Sequence, residues 1–153
     1  MTDELLLAHQ FTLGDVAKVR RRVADCIVRA GLDGPRSEDF VLAVHEVMCN
    51  AIRHGGGSGL VRVCRDDGVL RCEVTDHGAG LTQDKIPLTL PAWESGDSGR
   101  GLWLVRELTD SVKIGGDGHG AVVTLEVRLV PHGSDAAAVL AEPTAQVSVR
   151  PAS

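Results

Sequence analysis

Residues 38–57 read EDFVLAVHEVMCNAIRHGGG, and this stretch decides the fold of the chain. It predicts a helix with Ser37 as its N-cap, which runs to about His54 and stops at the glycines that follow. Glu46 and Asn50 are one turn apart, and His54 lies one turn further on, so the three side chains form one polar stripe. The apolar core face of the same helix comes from residues at helical spacing, Val41, Val44, Met48 and Ala51.

The polar stripe carries side chains that suit phosphoryl chemistry. The carboxamide of Asn50 offers a neutral oxygen to Mg²⁺, which prefers few protein ligands and keeps waters and phosphate oxygens for the rest. The carboxylate of Glu46 can accept a proton from an attacking hydroxyl or water. A solvent-facing stripe is the better explanation of these two residues taken alone, and His54 is expected at the helix end or at a pocket rim.

Two strands after this helix form a predicted hairpin, Leu60–Arg65 and Val69–Thr75. The Asp67-Gly68 pair between them favours a two-residue type I′ turn, because both central residues of that turn need positive φ. Side chains alternate between the two faces of a strand, so Asp76 is expected on the apolar face with Cys72 and Val74, pointing inward. A carboxylate at such a position needs a polar partner or a function. The cross-strand pairs predicted by this turn are Arg65 with Leu70, Val63 with Cys72, Val61 with Val74, and the opposite charges Arg62 and Glu73.

Two glycine-containing segments follow. In Asp76–Gly80, an inward Asp at a strand end can accept a hydrogen bond from an exocyclic amine such as that of adenine, and the glycines let backbone approach a flat ring. In Ser98–Leu102, the backbone N–H groups and the dipole of a helix start suit an anion such as phosphate. Taken alone, Asp76–Gly80 is better explained as an ordinary turn with a capping Asp, and a glycine-rich helix start such as Ser98–Leu102 is common without any ligand. No GxxxxGK[ST] sequence occurs, which excludes a P-loop.

The rest of the chain completes a pattern of helices followed by a sheet with one helix inserted. This order predicts an α+β fold, a two-layer sandwich with a mostly antiparallel mixed sheet covered on one face by helices. Residues 78–99 are loop-like, and so long a connection inside a small domain is often functional. The other predicted elements are a strand at His9–Leu13, a first helix after the capping-box pair Thr12 and Asp15, a third helix from Gly101, and strands at Val112–Ile114 and Ala121–Leu129.

The composition restricts the class of protein. Of 153 residues, 43% are apolar and 24% charged, and the net charge is −5, so we expect a globular domain that binds no nucleic acid directly. The absence of a ~20-residue apolar run or a signal peptide predicts a cytoplasmic protein without a membrane span. Four cysteines without CxxC spacing indicate reduced thiols. Residues 1–130 are predicted to form the domain, and 131–153 a flexible tail rich in Ala, Pro and Ser.

Taken together and in this order, the three segments resemble the GHKL ATPase superfamily, which includes gyrase, the histidine kinases and the anti-sigma-factor serine kinases. Glu46–Gly55 looks like its N box, Asp76–Gly80 like its DxGxG box, and Gly99–Leu102 like its second glycine box. Three ordered boxes with fitting elements between them are far more specific than any one. The resemblance covers roughly residues 8–130 and implies a histidine-kinase-like ATPase fold.

The resemblance also implies a role for each matched residue. Asn50 would bind Mg²⁺, Glu46 would be the general base, and Asp76 would read the adenine of ATP. A mobile lid would span about residues 81–98. The remaining nucleotide contacts would come from Gly78 and Gly80 at the base, and from Gly99, Arg100, Gly101 and Leu102 at the phosphates.

Size and box spacing are most similar to the anti-sigma-factor serine kinases. That resemblance implies an enzyme that sequesters a sigma factor and phosphorylates a serine of an antagonist protein. The alternatives are a non-catalytic ATP-binding regulatory module and the detached catalytic domain of a sensor kinase. Glu46 favours the enzyme. Ala121 favours the binding module, because many members of the superfamily have Thr at this position, directly after the glycine that corresponds to Gly120. Leu5–Leu7 are expected to pack onto the domain, with a homodimer interface as the alternative.

Overall fold

Five strands and three α-helices make up the part of the chain that the computed structural model describes, residues 3–54, 56–77, 100–116 and 120–129. The predicted loop between residues 78 and 99 and the predicted tail, 131–153, lie outside the described residues. The elements in chain order are β1 (Glu4–Thr12), a 3-10 turn (Leu13–Asp15), α1 (Val16–Arg29), α2 (Gly34–His54), β2 (Ser58–Asp66), β3 (Val69–Asp76), α3 (Arg100–Leu108), β4 (Ser111–Gly115) and β5 (Val122–Arg128).

The strands form one sheet in the order β1-β2-β3-β5-β4. Every pairing among the described strands is antiparallel, and the predicted α+β sandwich with a mostly antiparallel sheet is confirmed. Asp67 (φ 52°) and Gly68 (φ 83°) both have positive φ, as a type I′ turn requires. All four predicted cross-strand pairs of the β2–β3 hairpin are present, including Arg62 opposite Glu73.

The first strand is longer than the sequence predicted, because it begins at Glu4 rather than His9. Its pairing register with β2 shifts between Leu5 and Leu7, which marks a bulge. A bulge breaks the two-residue alternation by which a strand is recognised, so this half of β1 carried no periodic signal. Leu6 and Leu7 pack against the core, as expected, whereas Leu5 is 50% exposed.

The capping box expected before α1 is present, whereas α2 begins earlier than predicted. The Thr12 backbone N–H donates to Asp15 Oδ2 at 3.0 Å, completing the expected capping box, and this bond lowers the pKa of Asp15. Helix α2 begins at Gly34 instead of after Ser37, and the Ser37 hydroxyl donates to the Gly34 carbonyl at 2.9 Å. Pro35 is compatible with this earlier start, since backbone N–H groups of a first helical turn have no partner in the helix.

The helices cover one face of the sheet, and the core lies between the two layers. Val19, Val23 and Ile27 of α1 and Val44 and Met48 of α2 are at most 1% exposed. In the described ranges, no helix is both long enough and apolar enough to cross a membrane. The inward residues predicted for the later elements are buried in the structure, namely Leu102 and Val105 of α3 with Ala121, Val123, Leu125 and Val127, while Leu108 and Leu129 are partly buried.

We predict that Gly59→Ala destabilises the fold by about 1–3 kcal/mol, the usual cost of overpacking. A Cβ on Gly59 would lie 2.7 Å from Phe11 Cζ and 2.7 Å from the Thr75 carbonyl oxygen. The matched control is Gly14→Ala, because nothing lies within 4 Å of a Cβ at that position. Equilibrium urea unfolding measures both variants, and equal free energies of unfolding would contradict the prediction.

Candidate functional site

The polar stripe of α2 lies in the last three turns of the helix. Glu46 and Asn50 are both half-buried there, although His54 is exposed. The Arg53 guanidinium donates to Asn50 Oδ1 at 3.0 Å. Arg53 and His54 are in the final turn, where cationic side chains interact favourably with the negative end of the helix dipole. The stripe is therefore a partly enclosed polar surface and not the fully solvated face that the simplest interpretation predicted.

The start of α3 packs directly onto this stripe. A Cβ added to Gly101 would lie 2.7 Å from Glu46 Oε1 and 4.0 Å from Asn50 Nδ2. The Glu46 carboxylate therefore lies against the backbone of the first turn of α3, which spans Arg100–Leu108. The N–H groups of a first helical turn have no partner within the helix and carry the positive end of its dipole, so this backbone favours anions.

The end of β3 is held by a two-way backbone contact with the start of β5. The Asp76 N–H donates to the Ala121 carbonyl at 2.9 Å, and the Ala121 N–H donates to Asp76 Oδ1 at 3.2 Å. A Cβ on Gly120 would lie 2.0 Å from the Asp76 carbonyl oxygen, so only glycine fits there. Asp76 is half-buried. The backbone N–H of Ala121 is a polar partner for this inward-pointing carboxylate.

Ala121 occupies the position at which many members of the superfamily have threonine. Ala121 is 2% exposed, and it holds Asp76 through its backbone N–H, which any residue except proline supplies. The missing threonine hydroxyl therefore does not remove the contact that orients the Asp76 carboxylate. This bond was not predicted from the sequence, in which its one signal was Gly120, the glycine that precedes the alternating strand.

Three of the sequence-predicted segments meet around the second half of α2. The Glu46 carboxylate lies against Gly101, and Asn50 Nδ2 would be 4.0 Å from a Cβ on that residue. A Cβ on Gly56, just after α2, would lie 3.9 Å from the carbonyl carbon of His77. Because His77 directly follows Asp76, the end of α2 lies beside the end of β3. Leu102 is buried, so a phosphate contact there would fall to its backbone N–H. Gly78, Gly80 and Gly99 lie outside the described residues, and of Arg100 only the backbone, at the start of α3, is described.

The environment of Cys49, the thiol next to the polar stripe, does not favour a nucleophilic role. Burial, followed by the nearby Glu46 carboxylate, raises the pKa of Cys49. Its Sγ lies 3.5 Å from His45 Nε2. A raised pKa keeps a thiol protonated and unreactive at neutral pH.

The donors at this site suit Mg²⁺ better than a softer metal. Among the described residues, no group of three or more His, Cys, Asp or Glu side chains could hold a metal ion. A cation at the stripe would rely on the carboxamide oxygen of Asn50, a hard ligand, and on oxygens of its own substrate. Mg²⁺ is typically bound in this way, through one or two protein ligands with phosphates and waters.

The family model described as the histidine kinase-like ATPase domain matches residues 10–127 of the chain. The chain belongs to this family, and its predicted membership of the GHKL superfamily is confirmed. Comparison with curated protein sequences gave no significant match.

Solved structures with similar folds include chains that are longer than this one. The RsbU and RsbW domains of Rv1364c from Mycobacterium tuberculosis share 22% identity with the chain at a TM-score of 0.57, over 80% of this chain and 32% of that one. Full-length ShkA in complex with AMPPNP shares 21% identity at 0.52, over 77% and 30%. The histidine kinase AdeS of Acinetobacter baumannii shares 15% identity at 0.52, over 82% and 69%. The chain thus spans about a third of the length of the first two structures.

A double-mutant cycle tests the contact between α2 and α3. Gly→Ala in a helix normally stabilises by roughly 0.5–1 kcal/mol, but at Gly101 the Glu46 carboxylate has to move. We expect Gly101→Ala to be neutral or destabilising in the wild-type background and stabilising in a Glu46→Ala background, with a coupling energy of at least about 0.5 kcal/mol.

The control background for this cycle is Glu38→Ala, which removes an exposed carboxylate from the same helix. In that background, Gly101→Ala should have the same effect on the free energy of unfolding as in wild type. Equal effects of Gly101→Ala in all three backgrounds would show that Glu46 does not lie against α3.

Proposed function

We propose that the chain is a cytoplasmic Mg-ATP-dependent protein kinase that sequesters a sigma factor and phosphorylates a serine of an antagonist protein. The observation that carries this proposal is the contact at Gly101, where a Cβ would lie 2.7 Å from Glu46 Oε1 and 4.0 Å from Asn50 Nδ2. A proton acceptor, a neutral oxygen ligand and an anion-binding helix start are there brought together. Phosphoryl transfer depends mainly on such positioning and on electrostatic stabilisation.

Asn50 is the residue that would hold the metal. Its Oδ1 accepts a hydrogen bond from Arg53 at 3.0 Å, so Arg53 keeps the carboxamide oriented and has to give up this oxygen when a cation binds. Mg²⁺, when bound, neutralises negative charge on the phosphate oxygens. The backbone N–H groups at Arg100–Leu102 would hold the same phosphates from the side of α3.

Glu46 would act as the general base. Its carboxylate would accept the proton of the substrate serine hydroxyl as the serine oxygen bonds to the γ-phosphorus of ATP. The bond from that phosphorus to the bridging oxygen breaks in the same step, and ADP leaves with the electron pair. The fixed position of Glu46 against the Gly101 backbone supports this role, because a proton acceptor must be held within reach of the attacking group.

Asp76 would select the base. Ala121 N–H donates to one carboxylate oxygen of Asp76, which fixes the plane of the carboxylate at the end of β3. A carboxylate held in this way can accept a hydrogen bond from the exocyclic amine of adenine, whereas guanine presents a carbonyl oxygen at the corresponding position. The site would therefore prefer ATP to GTP.

The anti-sigma-factor role is supported by two observations. The helix start Ser98–Leu102 resembles that of the anti-sigma-factor serine kinases, and the fold is shared with a structure that contains an RsbW domain. A non-catalytic ATP-binding module is the second candidate, and Ala121 favours it because the hydroxyl found in many superfamily members is absent. The third candidate is the detached catalytic domain of a sensor kinase, and it is supported by the fold that the chain shares with the histidine kinase AdeS.

Nucleotide binding is tested by thermal unfolding. At Mg-ATP concentrations ~100 times Kd, ligand linkage adds about 2.7 kcal/mol of stability, and we expect the melting temperature to rise by several degrees. Asp76→Asn should abolish the preference for ATP over GTP, whereas the exposed Asp33→Asn should leave it unchanged. No rise with wild type would remove the nucleotide proposal.

Catalysis is tested with radiolabelled ATP and a candidate antagonist protein encoded by a neighbouring gene. Glu46→Gln keeps the size of the side chain but removes its basicity, so we expect serine phosphorylation to fall ~10²–10⁴-fold while ATP binding persists. Glu38→Gln, on the same helix, is the control and should retain full activity.

Normal transfer by Glu46→Gln would contradict the general-base assignment. ATP binding without phosphate transfer by wild type would favour the binding module. Phosphorylation of a histidine on a partner instead of a serine would favour the sensor-kinase domain.

A further inference from the structure

A groove lies between α1 and the first half of β1, away from the polar stripe of α2. Its volume is about 470 Å³. Two leucines of β1 contribute apolar surface, and arginines of α1 and β2 contribute charge. Asp25 is the single acidic side chain among the described residues that line the groove. The side chains that matter here are Leu6, Leu7, Arg22, Asp25, Arg29 and Arg65.

The three arginines differ in whether a carboxylate compensates their charge. Arg65 donates to the Ala30 carbonyl at 3.2 Å and forms an ion pair with Glu4 at 2.7 Å, so its charge is largely compensated. Arg22 and Arg29 are exposed, and neither forms an ion pair within the described ranges of the chain. They stand one on each side of Asp25 in α1, which compensates at most one of them. The groove is thus cationic on a chain whose net charge is −5.

The apolar surface of the groove comes from Leu6 and Leu7, which are only partly buried. β1 is an edge strand of the sheet formed by the described strands, and its bulge lies between Leu5 and Leu7, at the groove. An edge strand presents unpaired backbone groups beside which a partner segment can bind.

We propose that this groove binds an acidic, leucine-containing segment of a partner protein. The apolar side chains of the segment lie on Leu6 and Leu7, and its carboxylates pair with Arg22 and Arg29. Arginine suits this role because its planar guanidinium binds a carboxylate through two parallel hydrogen bonds. The proposal is independent of the proposed kinase activity, since no residue of the groove belongs to the nucleotide site.

Two other occupants fit the groove less well. A nucleic acid would gain from the arginines but not from the leucines, and it would be repelled by the net negative charge of the chain. A second copy of the chain could cover Leu6 and Leu7 but would bring a second pair of uncompensated arginines to the same interface. An acidic segment satisfies both the charged and the apolar surfaces.

The test uses a fluorescein-labelled peptide in which two leucines are flanked on each side by glutamates. Binding is measured by fluorescence anisotropy without nucleotide, so failure of the proposed kinase activity does not affect the result. We expect binding that weakens with salt, and no binding by a peptide with lysines in place of the glutamates or serines in place of the leucines.

The variants are matched in charge. Arg22→Glu with Arg29→Glu reverses both groove cations and should weaken binding at least tenfold. Lys18→Glu with Arg21→Glu makes the same change in net charge at exposed positions of α1 outside the groove, and should weaken it less than twofold. All four positions are exposed, and circular dichroism checks that each double variant remains folded.

Three results would overturn the proposal. The first is absence of binding by the glutamate peptide, and the second is equal weakening by the two double variants, which would indicate only general attraction. The third is binding of a single-stranded DNA oligonucleotide, or formation of a dimer seen by light scattering, that depends on Arg22 and Arg29 while the glutamate peptide does not bind.

Discussion

The contact between the Glu46 carboxylate and the first turn of α3 is the constraint on which the rest of the structure depends. A Cβ at position 101 would lie 2.7 Å from the carboxylate oxygen, so a larger residue there fits only if the Glu46 side chain moves. The contact also makes α2 the central element of the helical layer, packed against the sheet on one side and against α1 and α3 on its flanks. A polar stripe that would otherwise face water is thereby half-enclosed, and electrostatic interactions are stronger in such a partly enclosed site than in open solvent.

The second fixed point is the end of β3. Asp76 is bound through both its backbone and its side chain to Ala121, and Gly120 lets the two strands approach at that point. Because β3 is the central strand of the sheet, its end is anchored by neighbours on both sides. The carboxylate is thus bound by a backbone N–H, which alanine supplies as well as the threonine that many members of the superfamily have at this position.

The proposed nucleotide site and the proposed partner groove lie toward opposite edges of one sheet. The candidate nucleotide site involves α2, α3 and the end of β3, and α3 packs against β4 at one edge. The cationic groove lies beside β1 at the other edge, where the strand has no outer neighbour among the described residues. The element between them is α2, which packs against both α1 and α3.

The sequence by itself determined the features that depend on local geometry. The Asp67-Gly68 turn set the register of the hairpin, and helical spacing put Glu46 and Asn50 on one face. Only the tertiary structure decided what that face meets, because the contact joins residues about fifty positions apart and depends on how α3 packs. The hydrogen bond from Ala121 to Asp76 and the groove beside β1 likewise depend on packing. The bulge in β1 interrupts the alternation by which the first half of that strand could have been recognised in the sequence. Periodicity reports the neighbours of a residue along the chain, whereas these sites are made by residues that only packing brings together.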